Sequence, residues 1–266
     1  MLPKILIQSL KTQRKSFIFW IVGLVGLIAL YMAIYPSVRE SAQALNEYIE
    51  KMPEAFRAAF IGEADYASPV GYISSEIYTQ MLPLLFLFYA IGVGSSAIAG
   101  EEEKGTLDIL LATPIRRSRV VLEKWGALIG GLLFLSVVVI ISLFIGIKFV
   151  DITITLGKLI AVTLSLFLLS LSFGTLALLI GSFTGSKGVA IGLTTAVAVL
   201  TFFINALAPI VDFLEKIQKV SPFYHYTANN PIVNGLDWGS VLFFTCISLV
   251  FLILSIVAFR KRDLMI

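Results

Sequence analysis

Histidine and cysteine are each present once in this 266-residue chain, and that scarcity closes off several kinds of chemistry. Cys246 has no second cysteine in the chain to bond with, and it falls in an apolar run where a small packing residue is expected. His225 has no neighbouring ligands with which to build a metal site, so neither a metal nor a catalytic role is expected of it. No H-E-x-x-H and no Ser/His or paired-Asp arrangement is visible, which argues against intramembrane hydrolysis. Charge is scarce as well. Only 14% of the residues are charged and 58% are hydrophobic, against about 25% and roughly 45–50% in a soluble domain. The pI of about 8.9 comes without a basic stripe interleaved with aromatics, so nucleic acid is not an expected partner. Gly181-Ser182-Phe183-Thr184-Gly185-Ser186-Lys187-Gly188 falls short of a phosphate-binding loop. Its first two glycines are too close, Ser186 precedes the lysine, and Gly188 stands where a hydroxyl is needed. The chain is therefore not expected to bind ATP itself.

What the chain has in quantity is long apolar runs. Six reach the length of about 20 residues that a helix needs to cross a bilayer: Phe17–Tyr35, Met81–Ala99, Trp125–Phe149, Leu159–Ser182, Val189–Ile210 and Ser240–Phe259. Backbone groups in lipid must be satisfied within the segment, so these are expected as helices, and their lack of alternation excludes a barrel. Lys and Arg set the orientation. With the N-terminus in the cytoplasm, thirteen of the 20 Lys and Arg fall inside, and eleven of the 17 acids fall outside. Both termini are therefore expected in the cytoplasm. The first run is too long for a signal peptide and reads as a retained anchor. In the lead-in, residues 1–16, Lys4, Gln8, Lys11 and Lys15 lie on one helical stripe, and Leu2, Ile5, Leu6, Ile7 and Leu10 lie opposite. Such a helix is expected to lie in the headgroup plane.

Residues 36–80 are too many for a simple turn and are expected to form a helical cap outside the membrane. Leu45, Ile49 and Met52 share a face, and a second helix is expected from Pro53, burying Phe56 and Phe60 and ending at Gly62. In the outer region 211–239, Phe213, Ile217 and Val220 stand at helical spacing. The aromatics after Ser221-Pro222 are expected to anchor depth at the interface. The pairs Gly181/Gly185 and Gly188/Gly192 are expected to permit close helix contact. The six runs contain no Asp or Glu, and Lys148 sits at a run end. A carboxylate proton relay is therefore not expected, and any uphill transport would draw its energy from another subunit.

The stretch from Glu101 to Pro114 stands apart, being charged and amphipathic between two membrane-length runs. Leu107, Leu110 and Leu111 share a helical face with Glu103, and Lys104 and Asp108 are spaced to pair. Acidic residues suit its N-terminal end, and Pro114 stops it. Three leucines on one face fit a partner's groove. A helix lying on lipid with no partner is the plainer reading of the same pattern.

At these residues the chain resembles the ABC-2 family of ATP-binding-cassette transporter permeases. The resembling stretch is Ala99-Gly100-Glu101-Glu102-Glu103-Lys104-Gly105-Thr106-Leu107-Asp108-Ile109-Leu110-Leu111-Ala112-Thr113-Pro114-Ile115, followed by Arg117 and Lys124. Six runs, a basic amphipathic N-terminus, a helical outer loop and Ser221-Pro222-Phe223 extend the resemblance along the chain. It implies an all-α integral membrane protein with six transmembrane helices, a single domain over residues 1–266, of the type V ABC exporter-like fold. It implies a coupling helix within residues 100–116, and an outer re-entrant segment at Ser221 within 211–239. Glu101, Glu102, Glu103, Gly105, Thr106, Leu107, Leu110, Leu111, Thr113, Pro114 and Arg117 would then form the interface with an ATPase partner. The leucines would supply docking area and the glutamates would meet basic partner residues. The implied partners are two copies of an ATP-binding subunit, which would carry the ATP and Mg, and a second permease, identical or paralogous. The implied activity is export of a lipophilic or amphipathic solute, a drug, peptide or lipid, across the cell membrane. The alternative is a membrane scaffold or signalling subunit that recruits a soluble partner without transport.

Overall fold

The computed structural model describes residues 4–53, 68–108, 115–150, 152, 154–227 and 229–262, apart from the side chains of Lys4, Gln43 and Leu45. The described residues are built from helices. In chain order they are α1 (Lys4–Thr12), α2 (Arg14–Glu40), α3 (Ala42–Glu50), α4 (Pro69–Ser96), α5 (Ala99–Glu103), α6 (Arg117–Phe149), α7 (Leu156–Thr184), α8 (Lys187–Leu207), α9 (Asp212–Ile217), α10 (Pro222–Thr227), α11 (Pro231–Asn234) and α12 (Trp238–Lys261). Six of them, α2, α4, α6, α7, α8 and α12, are long and apolar enough to cross a membrane, one for each expected run. The short helices lie between them or at the ends, and α1 and the last residues of α12 both meet the start of α6, at what is here called the basic end.

The central helix is α7, packed by α4, α6, α8 and α12. It is rich in Ser and Thr for so buried a helix. Thr163, Ser165, Ser170 and Thr175 each donate to the carbonyl four residues back, at 2.7–3.2 Å, so their hydroxyls are satisfied within the helix. Two of them also bond a neighbouring helix: Thr163 to the Tyr78 hydroxyl at 2.7 Å, and Thr175 to the Trp125 indole N–H at 2.9 Å. Between those points α7 and α4 cross at backbone contact. A Cβ on Gly94 would stand 2.0 Å from the Gly174 carbonyl oxygen, so no side chain fits there. In contrast, α2, α8 and α12 leave most of their apolar residues open, with Val22, Leu200 and Leu242 among those facing outward. That is the surface lipid requires.

Most helix ends lie at or beyond the ends the apolar runs suggest, although α4 stops at Ser96 rather than Ala99 and α8 at Leu207 rather than Ile210. The largest difference is in α4, which begins at Pro69 rather than Met81. Ser68 caps it by accepting from the Gly71 N–H at 3.0 Å, with Pro69 in the first turn. Polar residues follow and are held by their neighbours: the Tyr226 hydroxyl donates to the Tyr78 carbonyl at 2.5 Å, and the Tyr72 hydroxyl donates to the Tyr31 carbonyl at 3.1 Å. Residues Ile73–Met81 are π-helical, just before Pro83, whose ring would collide with the carbonyl four residues back in a tight α-helix. Glu76 lies in this stretch. The expectation of spans free of carboxylates is therefore corrected: half-buried Glu76 belongs to a membrane-length helix.

Several outer-region expectations change in the same way. In α10, Phe223 packs on Phe173 of α7 at 5.9 Å and Tyr226 reaches the Tyr78 carbonyl of α4, so both are core residues rather than anchors at the interface. His225 stacks on Phe243 at 3.8 Å and its Nε2 lies 2.9 Å from the Lys219 carbonyl oxygen. Gly181 does sit at a close crossing, where a Cβ would touch Ser95, Ala99 and Ala190, whereas a Cβ on Gly188 would meet only the Ser186 hydroxyl of its own turn and Gly192 faces open space. Residues 36–80 divide between the end of α2, α3 and the start of α4. Ile49 of α3 joins the core. The expected helix from Pro53 with Phe56, Phe60 and Gly62 falls beyond Pro53 outside the described residues, as does Leu2 of the lead-in.

Candidate functional site

The segment between α4 and α6 sits at the basic end, and its local shape follows from one glycine. The Thr106 N–H donates to the Glu101 carbonyl and the Gly105 N–H to the Glu102 carbonyl, both at 2.9 Å. This is the paired 6→1 and 5→2 closure that ends a helix when the residue after the C-cap is left-handed. Gly105 has φ +65°, which a side chain would strain. The expected single helix from Glu101 through Pro114 is thus broken at Lys104–Thr106, and a new helical turn starts at Leu107. Lys104 and Asp108 then lie on different pieces, and they form no ion pair.

Three consecutive carboxylates leave α5 in three directions. Glu101 bonds the Lys124 ammonium of α6 at 2.5 Å and accepts from the Thr106 hydroxyl at 2.5 Å. Glu102 pairs with Arg262 at the end of α12. Glu103 accepts from the Lys187 backbone N–H at the start of α8, at 2.8 Å. One turn of helix is therefore tied to the basic ends of three spans. Lys124 is buried, so the Glu101 pair is shielded from water on one side. Burial pushes the Glu101 carboxyl up, but the bonds from Lys124 and Thr106, with the charges of Lys124 and Lys104, outweigh it and hold the group below its ordinary value.

Arg117 completes the arrangement. Its guanidinium donates to the carbonyls of Phe259 at 3.2 Å and Arg262 at 2.8 Å, and lies over the Phe259 ring at 5.7 Å. A cation there satisfies the open carbonyls at the C-terminus of α12. Arg262 in turn rests on Gly185, in the left-handed turn between α7 and α8 (φ +69°), where a Cβ would stand inside the guanidinium. The stretch that fell short of a phosphate loop is this turn, with Ser186 capping α8 through the Val189 N–H.

Below the segment lies a small apolar core of Ile98, Leu107, Val121, Leu178, Leu252, Phe259 and their neighbours. Leu107 is 1% exposed. It was expected to offer docking area, and instead it is covered by its own chain. Glu101 and Glu102 were expected to meet basic residues of a partner, and they are neutralised by Lys124 and Arg262. What the described segment presents outward is Glu103, Lys104, Gly105, Thr106 and Asp108. Leu110, Leu111, Thr113 and Pro114 lie outside the described residues.

The N-terminal helix is part of the same end. The Glu123 carboxylate accepts the N–H groups of Ile5 at 2.9 Å and Leu6 at 3.3 Å, and the Arg119 guanidinium at 2.8 Å. A carboxylate from α6 thus caps α1 from 118 residues away. Leu6 and Leu10 lie over Gly126 and Gly130 of α6, while Lys11 and Lys15 stay exposed. Sequence periodicity pointed to the faces of α1, but nothing in it pointed to Glu123 as the anchor.

Residues 4–264 match the family model described as ABC-2 family transporter protein. No curated protein matches the chain.

Proposed function

The chain belongs to the ABC-2 family of transporter proteins, a membrane transport subunit with six apolar helices, and we propose that it is the permease of an ATP-driven exporter coupled through the segment after α4. The observation that carries this reading is the divergence of Glu101, Glu102 and Glu103 to α6, α12 and α8. A load applied to the segment moves the ends of three spans together, because each is held by a charged group rather than by loop backbone alone. In this reading two ATP-binding subunits dock from the cytoplasm and bind the ATP and Mg, and a second permease, identical or paralogous, completes the pathway in the cell membrane. Closure of the ATP-binding subunits shifts the segment as a rigid body and so shifts the equilibrium between two states of the spans. The exported solute is lipophilic or amphipathic, a drug, peptide or lipid.

Docking falls to the outward residues Glu103, Lys104, Gly105, Thr106 and Asp108, together with Leu110, Leu111, Thr113 and Pro114. Leu107 and Arg117 support the segment from within. Two variants separate docking from transmission in complexes reconstituted with the ATP-binding subunit. Replacing Leu110 and Leu111 by Asp should abolish co-purification of that subunit. Glu102→Gln should leave co-purification intact while lowering solute-stimulated ATP hydrolysis. A complex that hydrolyses ATP and transports normally with both changes would refute the coupling role.

A further inference from the structure

At the end of the bundle opposite the termini, a cavity of about 390 Å³ is lined by Tyr35, Pro36, Arg39 and Glu40 of α2 and by Val150 after α6. Three of these groups carry polar chemistry that the fold leaves unused. Tyr35 is 1% exposed, yet its hydroxyl has no hydrogen-bond partner among the described residues. Buried hydroxyls are ordinarily paired, and this one is held in place because its ring packs on Tyr72 at 5.1 Å. Arg39 and Glu40 are exposed neighbours on the cavity wall, and neither takes part in an ion pair among the described residues.

Adjacent opposite charges select by exclusion. A ligand carrying only an anion meets Glu40, and one carrying only a cation meets Arg39. A ligand with both is favoured by both. The depth of the cavity narrows the choice further. At 1.5 Å per residue Tyr35 stands about 27 Å above Phe17, close to the far edge of a hydrocarbon core of about 30 Å. Arg39 and Glu40 lie about one turn further, at headgroup level. Pro36 and Val150 give the cavity an apolar wall where acyl chains would begin.

We propose that this cavity binds the headgroup of a zwitterionic phospholipid with a primary amine, of the phosphatidylethanolamine class. The phosphate oxygens accept from the Arg39 guanidinium and the Tyr35 hydroxyl, and the ammonium donates to the Glu40 carboxylate. A quaternary ammonium has no N–H to donate, so choline lipids fit less well. The proposal goes beyond the transport reading and does not depend on it, since it concerns binding at the opposite end and requires no ATP.

The test is native mass spectrometry of the delipidated full chain titrated with phosphatidylethanolamine, phosphatidylcholine or phosphatidylglycerol. Soluble phosphoethanolamine is titrated in parallel. The ethanolamine lipid should be retained about tenfold over the other two, the scale of one lost charge-assisted bond. Arg39→Gln and Tyr35→Phe should weaken its retention, and Glu40→Gln should turn the preference toward phosphatidylglycerol. Arg39 and Glu40 are exposed, so their variants keep the core, and an unchanged thermal midpoint verifies it. Equal retention of all three lipids, or identical retention by the variants, would overturn the proposal. Retention of soluble phosphoethanolamine as strongly as the lipid would overturn the lipid as ligand.

Discussion

Glu123→Ala should release the N-terminal helix while leaving the bundle folded. In the native protein the Glu123 carboxylate takes two N–H groups at the start of α1 and the Arg119 guanidinium. Loss of a helix cap costs about 1 kcal/mol. Loss of a negative charge at a helix N-terminus costs about 0.5 kcal/mol, whereas the Arg119 pair lies within α6 whether α1 is docked or not and drops out of the balance. Together the first two come to about 1.5 kcal/mol, or roughly a tenfold rise in the population with α1 undocked. The packing of Ile5, Leu6 and Leu10 survives the substitution, so α1 opens more often without being lost. Glu123→Gln keeps one acceptor oxygen and gives up the charge, so it should cost about 0.5 kcal/mol and raise opening about twofold. Hydrogen exchange on the α1 amides measures this directly. The expected pattern is faster exchange over Ile5–Lys11 in the order Ala, then Gln, then wild type, with α7 amides unchanged. Equal α1 protection in all three proteins would refute the cap, and simultaneous loss of protection in α7 would show that Glu123 holds the bundle rather than the helix.

Three further outcomes follow from contacts described above. Gly94→Ala drives a Cβ to 2.0 Å from the Gly174 carbonyl oxygen and should lower the thermal midpoint at a cost of about 3 kcal/mol or more; Gly92→Ala, two residues away with nothing within 4 Å, should raise it slightly. Because the Glu101 carboxyl is held below its ordinary value, its ion pair contributes fully above about pH 4.3 and is lost as the pH falls through the lower folded value. Thermal midpoints from pH 7 down to 3 should therefore fall more steeply for wild type than for Glu101→Gln, and parallel curves would refute the linkage. Tyr226→Phe removes the donor from the Tyr78 carbonyl and should cost about 1–3 kcal/mol, read as a lower midpoint.

The six spans were legible because lipid allows few alternatives to a long apolar helix, and apolar runs are visible one residue at a time. The ends of the spans were harder to see. Glu76, Glu123 and Lys124 look like loop residues by composition, and they sit inside long helices because other parts of the chain satisfy or accommodate them. The segment from Glu101 was legible as unusual, yet two of its details were not. Gly105 could be read as one more residue of an amphipathic helix or as the stop its left-handed backbone makes it. Leu107 fits a partner's groove and an internal core equally well by spacing, and only the positions of Ile98, Val121 and Phe259 decide between them. Phe223 and Tyr226 posed the same problem, since an aromatic beside a proline carries no label for which side covers it.

Thr163, Ser165, Ser170, Ser172 and Thr175 of α7 turn their bonding inward, onto their own helix, and of these Thr163 and Thr175 also bond Tyr78 and Trp125. Neighbouring spans that slide or tilt along the stretch between break no hydrogen bond there and exchange only close-packed contacts. The middle of α7 is therefore a dry seam with one polar tie at Thr163 and one at Thr175, and the coupling proposed above would have to work against close packing there rather than against hydrogen bonds.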